Sequence, residues 1–264
     1  MYFKCSKVSS LRVEKLKSYA VISDIHSNIY ALQAVVEDAN AKGITTFINL
    51  GDIFYGPIEP KETFDYLCSL DVLTISGNQD RQIYQSTEAE IASNPTMKFV
   101  LDDLGEASVE WMKSLPFDLV VNDDIYACHG TPSDDLVYLM EDVSSGAALL
   151  RSEAEILELL GTVSSKIILC GHSHTPRILT LSSGHIIVNP GSVGLQAYAD
   201  EEPFPHTIQN STPDASYAIL RGEQGGEWDI SLHRVGYDYD QAIKGASKRC
   251  RNDWMICLRT GCCF

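Results

Sequence analysis

Apolar positions fall into two patterns that alternate along the chain, short continuous runs and helical repeats. Residues 19–23 (YAVIS) have the length and composition of a buried strand. After them Ile29, Leu32, Val35, Val36 and Ala39 recur on one helical face, with Asn28 placed to cap its start and Gly43 to end it. A strand at 47–50 (FINL), a helix opening at Pro60 and a strand at 72–76 (VLTIS) continue the alternation. Residues 80–115 read as helical, punctuated by Gly105 and Pro116. Strands near Leu119 and Ile125 follow, then a helix from about Ser144 to Leu160 and a strand at 166–170 (KIILC). RILTL (177–181) and HIIVN (185–189) form a hairpin turning at Ser183-Gly184. A polar loop over 190–215 is too long for a plain connector, which marks it as functional. Strands at 216–220 and 228–235 and a helix near Tyr239 complete the series. This order predicts α/β layers in one domain, 19–250, preceded by an N-terminal extension, 1–18, expected to lack fixed structure, and followed by a Cys-rich tail, 251–264.

Composition narrows the possibilities. The apolar runs are strand-sized, so no membrane span is expected, and no secretory signal is recognisable, which points to the cytoplasm. A net charge of −16 argues against long nucleic acids, whose binding depends on Lys and Arg replacing counterions. Eight cysteines in such a chain are expected to stay reduced. Cys68, Cys128 and Cys170 read as small core residues, whereas Cys250, Cys257, Cys262 and Cys263 fit no metal-binding spacing and read as a mobile tail.

Candidate chemistry gathers just beyond the apolar strands. Asp24 and His26 follow YAVIS, Asp52 follows FINLG, Asn78 follows TISG, His129 follows IYAC, and His172 and His174 follow IILCG. In open α/β sheets, ligands bind outside the carboxyl ends of strands. If the chain stays extended there, alternate residues share a face, so Asp24 with His26, and His172 with His174, could each grip one ion. Singly, each motif has an ordinary structural use, since Gly-Asp and Gly-Asn are common turn dipeptides. Their combination in order is what points to metal chemistry.

These motifs resemble those of the calcineurin-like metallophosphoesterases, whose signature runs D-x-H, G-D, G-N-H-D/E, H and G-H-x-H. The chain reads Asp24-Ile25-His26, Gly51-Asp52, Gly77-Asn78-Gln79-Asp80, His129-Gly130 and Gly171-His172-Ser173-His174, and its Asn189-Pro190-Gly191-Ser192-Val193-Gly194 looks like the bacterial and archaeal phosphodiesterase branch. The resemblance implies two mixed sheets packed as a sandwich between helices. It implies one metal on Asp24, His26, Asp52 and His174, and a second on Asp52, Asn78, His129 and His172. Such paired ions (Mn first, with Fe, Zn, Ni or Mg as alternatives) would share a water that attacks phosphorus in line, while Asn78 and His129 stabilise phosphoryl charge.

One position departs from the family pattern. Gln79 stands where many members carry His, and an amide cannot donate a proton to a leaving group near neutral pH. Asp80, which would pair with that histidine, and His206 in the long loop are the remaining candidates for proton chemistry, while Arg81 and Arg177 are candidates to grip a phosphate. The expected activity is hydrolysis of small phosphodiesters or nucleotides, including dinucleoside polyphosphates. The alternatives are a protein phosphatase and a partner-binding module on the same fold, which the vacuolar sorting subunit of retromer resembles. The sequence leaves the oligomeric state open.

Overall fold

The computed structural model describes residues 16–264. Most of the extension expected over 1–18 therefore lies outside the described residues, and Lys17 and Ser18 already belong to a strand. The chain runs β1 (Lys17–Ile22), α1 (Ile29–Ala41), β2 (Thr46–Asn49), α2 (Pro60–Leu67), β3 (Asp71–Thr74), α3 (Asn78–Gln85), α4 (Glu88–Ser93) and α5 (Pro95–Lys113). It continues through β4 (Asp118–Val120), β5 (Ile125–Cys128), β6 (Glu141–Asp142), β7 (Leu149–Leu150), α6 (Glu153–Leu160), β8 (Ile167–Leu169), β9 (Arg177–Thr180) and β10 (Ile186–Asn189). Last come β11 (Ala197–Asp200), β12 (His206–Gln209), β13 (Ala215–Gly222), β14 (Trp228–Val235), α7 (Tyr239–Lys248) and α8 (Asn252–Thr260).

Two five-stranded mixed sheets carry the fold. The first has the order β14-β13-β1-β2-β3 and the second β4-β5-β8-β10-β9. In each, the three strands that lead to candidate ligands or to the loop beside them are parallel neighbours: β1, β2 and β3 in one, β5, β8 and β10 in the other. Strand alternation sends Val21, Ile48 and Leu220 of the first sheet into one core with Ala127, Leu169 and Val188 of the second. Residues one position away, such as Ala20, Ile22 and Phe47, face α1 and α5 instead. On the far side, Tyr126, Ile168 and Ile187 pack with Ile156 and Leu160 of α6. Because both faces are covered at the centre of each sheet, β1, β2, β5 and β8 read as continuous apolar runs, whereas the outer strands β3, β4 and β9 alternate with exposed positions. The result is a helix–sheet–sheet–helix sandwich. Among the described residues no helix is long and apolar enough to cross a membrane.

Local signals explain most element ends. Asn28 caps α1 by accepting a hydrogen bond from Ala31 N at 3.2 Å, and Gly43 leaves the helix at φ +77°. Four expectations differ from what is observed. The helix anticipated from Ser144 begins at Glu153, where Ser152 and Glu155 form a reciprocal capping box, and β6 and β7 occupy the preceding stretch. The long loop folds part of its length into the β11–β12 hairpin. Residues 252–260, read as a mobile tail, form α8, whose Trp254, Cys257 and Leu258 fall at helical spacing and pack with Ile58, Leu195 and Ala242. Burying Trp254 and Leu258 contributes about 2 kcal/mol each, enough to hold the segment in place. Cys128 and Cys170 are buried as expected, but Cys68 is exposed.

Candidate metal centre

The parallel strands end at the same edge of the sandwich and deliver their following turns to one place. Asp24 and His26 come after β1, Asp52 after β2, and Asn78 opens α3 after β3, whereas His129 follows β5 and His172 and His174 follow β8. These turns are not extended. Asp24 (φ 54°), His26 (50°), Asp52 (55°), His172 (66°) and His174 (53°) all have left-handed backbones. Each such residue costs about 1–2 kcal/mol relative to the right-handed region, so the surrounding structure imposes the geometry. The sharp turns also separate the last pair. His174 joins Asp24 and His26, while His172 joins Asp52 and His129, with donor atoms inside each triplet lying within 4.8 Å of one another. Strand alternation had placed His172 and His174 on one ion; the left-handed turns overrule it. Each triplet draws on both sheets, Asp24 and His26 or Asp52 from the first and His174 or His129 and His172 from the second.

Hydrogen bonds at the far side of three of the imidazoles fix their tautomers. His26 Nδ1 donates to Tyr55 O at 3.0 Å, His174 Nδ1 to Leu195 O at 2.6 Å, and His129 Nδ1 to Leu50 O at 2.8 Å. Carbonyls only accept, so each Nδ1 carries hydrogen and each neutral ring presents a bare Nε2 lone pair to the site. The Nε2 atoms of His26 and His174 are 3.1 Å apart. His174 Nε2 also lies 3.3 Å from Asp24 Oδ1, a buried atom with no hydrogen-bond partner. His129 Nε2 faces Asn78 Oδ1 at 3.0 Å and Asp52 Oδ1 at 3.5 Å. So many lone pairs pointed at one another require either added protons or cations between them. The residues present therefore fit two metal ions.

The electrostatics carry the same demand. Burial opposes charge on Asp24 and Asp52, yet His174 beside the former and His129 beside the latter hold both carboxyls below their usual range. Burial would discharge His129, but Asp52 lifts it to about 10. Burial and the neighbouring His174 drive His26 down to about 4, and burial with His129 takes His172 to about 4.

A frame of backbone contacts holds the turns. Asp80 accepts from Asp52 N (2.9 Å), Ile53 N (2.9 Å) and Gly77 N (3.0 Å), tying the Asp52 turn to the start of α3. Burial and the charge of Asp52 push Asp80 up to about 7, against three N–H donors that favour its carboxylate. Gly77 must lack a side chain, because a Cβ there would lie 2.2 Å from Asp52 Oδ1. The Asn189–Gly194 segment clamps the other turns: Ser192 Oγ donates to Asp24 O at 2.8 Å, Gly194 N to the same oxygen at 3.0 Å, and Asn189 Nδ2 to Gly171 O at 2.8 Å.

The clusters form the floor of a cavity of about 320 Å³. Asn78 and Gln79 line it, and Gln79 Oε1 has no hydrogen-bond partner. Four expected residues lie elsewhere. Arg81 makes a two-point ion pair with Asp135, at 2.9 and 2.6 Å, and Arg177 Nε pairs with the buried Glu141 at 3.4 Å without a hydrogen bond, so a carboxylate of the chain itself faces each guanidinium. His206 does not line the cavity; it is buried on β12 behind Tyr138, whose hydroxyl is 3.0 Å from His206 Nε2. Asp80 is turned to backbone rather than to the cavity. What sequence reasoning missed are the walls. Tyr138 and Tyr198 stand over His172 and His174 at ring-centroid distances of 4.5 and 4.6 Å, and Trp254 of α8 meets His26 edge-on at 5.9 Å. The 254/257/258 spacing of α8 was the available signal.

Residues 18–209 match the calcineurin-like phosphoesterase superfamily domain. An uncharacterized protein of Methanocaldococcus jannaschii is 27% identical over 262 residues, spanning 89% of this chain and 94% of that protein. A crystal structure described as a metallophosphoesterase from Sphaerobacter thermophilus superposes with a TM-score of 0.71 at 22% identity, covering 92% of this chain and 98% of that one. A structure described as a putative diadenosine tetraphosphatase gives a TM-score of 0.50 at 13% identity, covering 83% and 94%. At such identities the two structures speak for the fold alone.

Proposed function

Because the chain belongs to the calcineurin-like phosphoesterase superfamily, we propose that it is a two-metal phosphohydrolase acting on small phosphodiester or nucleotide substrates. The observation that carries this reading is the pair of buried triplets whose bare nitrogen and carboxylate lone pairs face one another. Asp24, His26 and His174 would hold one ion, and Asp52, His129 and His172, with Asn78 Oδ1 beside them, the other. Mixed imidazole and carboxylate donors suit Mn first, with Fe, Zn, Ni or Mg as alternatives. Bound there, divalent cations lower the pKa of water to supply a nucleophile and neutralise charge on the phosphoryl oxygens.

The chain's own residues do the rest. Backbone carbonyls on the far imidazole nitrogens keep the donors aimed, and Asp80 keeps the Asp52 turn against α3. The tyrosine and tryptophan walls flank the imidazoles of the floor and reduce their contact with solvent. Gln79 reaches the cavity but cannot act as an acid, so esters whose leaving groups need little protonation are the expected substrates.

The test is hydrolysis of bis-p-nitrophenyl phosphate, p-nitrophenyl phosphate and a phosphopeptide after chelation and reloading with Mn. Metal-dependent diester turnover lost in Asp52→Ala supports the proposal. A preference for the phosphopeptide would make the protein a protein phosphatase, and stoichiometric metal binding without turnover would make it a binding module.

A further inference from the structure

Beyond the metal floor the cavity has a distinct chemical character. Tyr55, Tyr138, Tyr198 and Trp254 contribute to its walls. Arg251 is the only Lys or Arg among the described residues that line it, and its guanidinium is already committed. Its Nε and Nη2 donate to Asp253 at 2.9 and 2.5 Å, and Nη1 donates to Thr96 Oγ1 at 2.7 Å. Two further carboxylates, Asp200 and Asp253, line the same space. A second phosphate would therefore meet negative charge and no free cation, whereas a planar, uncharged group would meet four aromatic side chains. The cavity's volume sits at the small end of the usual range for ligand sites, about 300–1,000 Å³.

We propose that this part of the cavity is a subsite for one planar aromatic group. The substrate is then a small phosphate ester or diester whose retained group, the one that does not leave, is of nucleoside or aryl size, and chains of several phosphates are rejected. The inference rests on the phosphohydrolase reading and narrows it, removing the dinucleoside polyphosphates that the sequence left open. Trp254 is the specificity-determining residue, since α8 brings it beside His26 from a segment outside the matched family domain. Asp200, exposed on β11, is the residue that turns polyphosphates away.

The experiment uses the full chain reloaded with Mn and two diesters with one leaving group, thymidine p-nitrophenyl phosphate and methyl p-nitrophenyl phosphate. The thymidine ester should have the higher kcat/KM. Trp254→Ala should cut that preference roughly 10-fold, the size of effect that stacking of one base supplies, while Trp254→Phe keeps most of it. Asp200→Lys should raise turnover of diadenosine tetraphosphate, a gain that misfolding cannot produce. Calorimetry gives a readout independent of turnover, in which adenosine monophosphate should bind more tightly than inorganic phosphate and Trp254→Ala should erase the difference. Equal rates for the two esters, a preference that survives Trp254→Ala, or diadenosine tetraphosphate as the best substrate would overturn the subsite. Absence of turnover with both esters would instead sink the phosphohydrolase reading, and calorimetry would then decide the subsite alone.

Discussion

Replacing His26 and His172 together, once with alanine and once with glycine, isolates the backbone cost of the metal turns. Both pairs of substitutions delete the same imidazoles and the same hydrogen bond from His26 to Tyr55, so those losses cancel in the comparison. What differs is the left-handed backbone, at φ 50° and 66°. Glycine relieves about 1–2 kcal/mol of crowding at each site but loses about 0.5–1 kcal/mol to the greater freedom of its unfolded chain. The double glycine variant should therefore be more stable than the double alanine variant by about 1–2 kcal/mol, summing two turns from different sheets. Urea unfolding in the presence of a chelator reads this as a rise in midpoint of roughly 0.5 M, taking a slope of about 3 kcal/mol per molar. Gln33, exposed within α1, is the control, because there glycine should be the less stable of the two by about 1 kcal/mol. If glycine and alanine rank the same way at His26 and His172 as at Gln33, the turns are not strained and the reasoning fails.

Asp80→Asn keeps the shape but puts an amide N–H against backbone donors, so it should cost about 2–3 kcal/mol and weaken metal binding without touching a ligand. Equilibrium unfolding with metal titration checks both effects. His129, raised to about 10, carries a proton at neutral pH when no ion is bound, so metal loading should release close to one proton from it and affinity should climb as pH rises towards 10. Below about pH 4, where His26 and His172 charge, affinity should fall steeply. Calorimetry in buffers of differing ionisation enthalpy counts the released proton. Saturating Mn at a thousand times its dissociation constant should stabilise the fold by about 4 kcal/mol for each ion bound, about 8 kcal/mol for two, and a chelator should abolish the gain. Gly77→Ala, whose Cβ would meet Asp52 Oδ1, should lose that metal-dependent stabilisation, as thermal melts with and without Mn would show.

Much of the arrangement could be read before any coordinates, because the signals were local. The apolar runs at 19–23, 47–50 and 166–170 became β1, β2 and β8, and the motif residues after them converge at one edge. What was hidden depends on long-range packing. Nothing near Arg81 in sequence announces Asp135, and nothing near Arg177 announces Glu141, yet those partners decide where both arginines point. The burial of His206 depends on Tyr138, 68 residues away. Two misreadings did carry local signals: the Ser152–Glu155 capping box marks the start of α6, and the 254/257/258 spacing marks α8.

Each metal triplet takes donors from both sheets, and this has a mechanical consequence. The core between the two sheets is apolar, so it carries no directional bond across the sandwich and the fastenings sit at its edges. Ions seated in the triplets would act as rivets at one edge of the sandwich, whereas the opposite edge is tied by hydrogen bonds that need no metal, such as Trp228 Nε1 to Asp124 Oδ2 at 3.0 Å and Gly225 N to the same oxygen at 2.7 Å. Amide hydrogens of β1, β2, β5 and β8 near their carboxyl ends should then exchange far more slowly when metal is bound. Those at the opposite ends of the same strands should hardly notice.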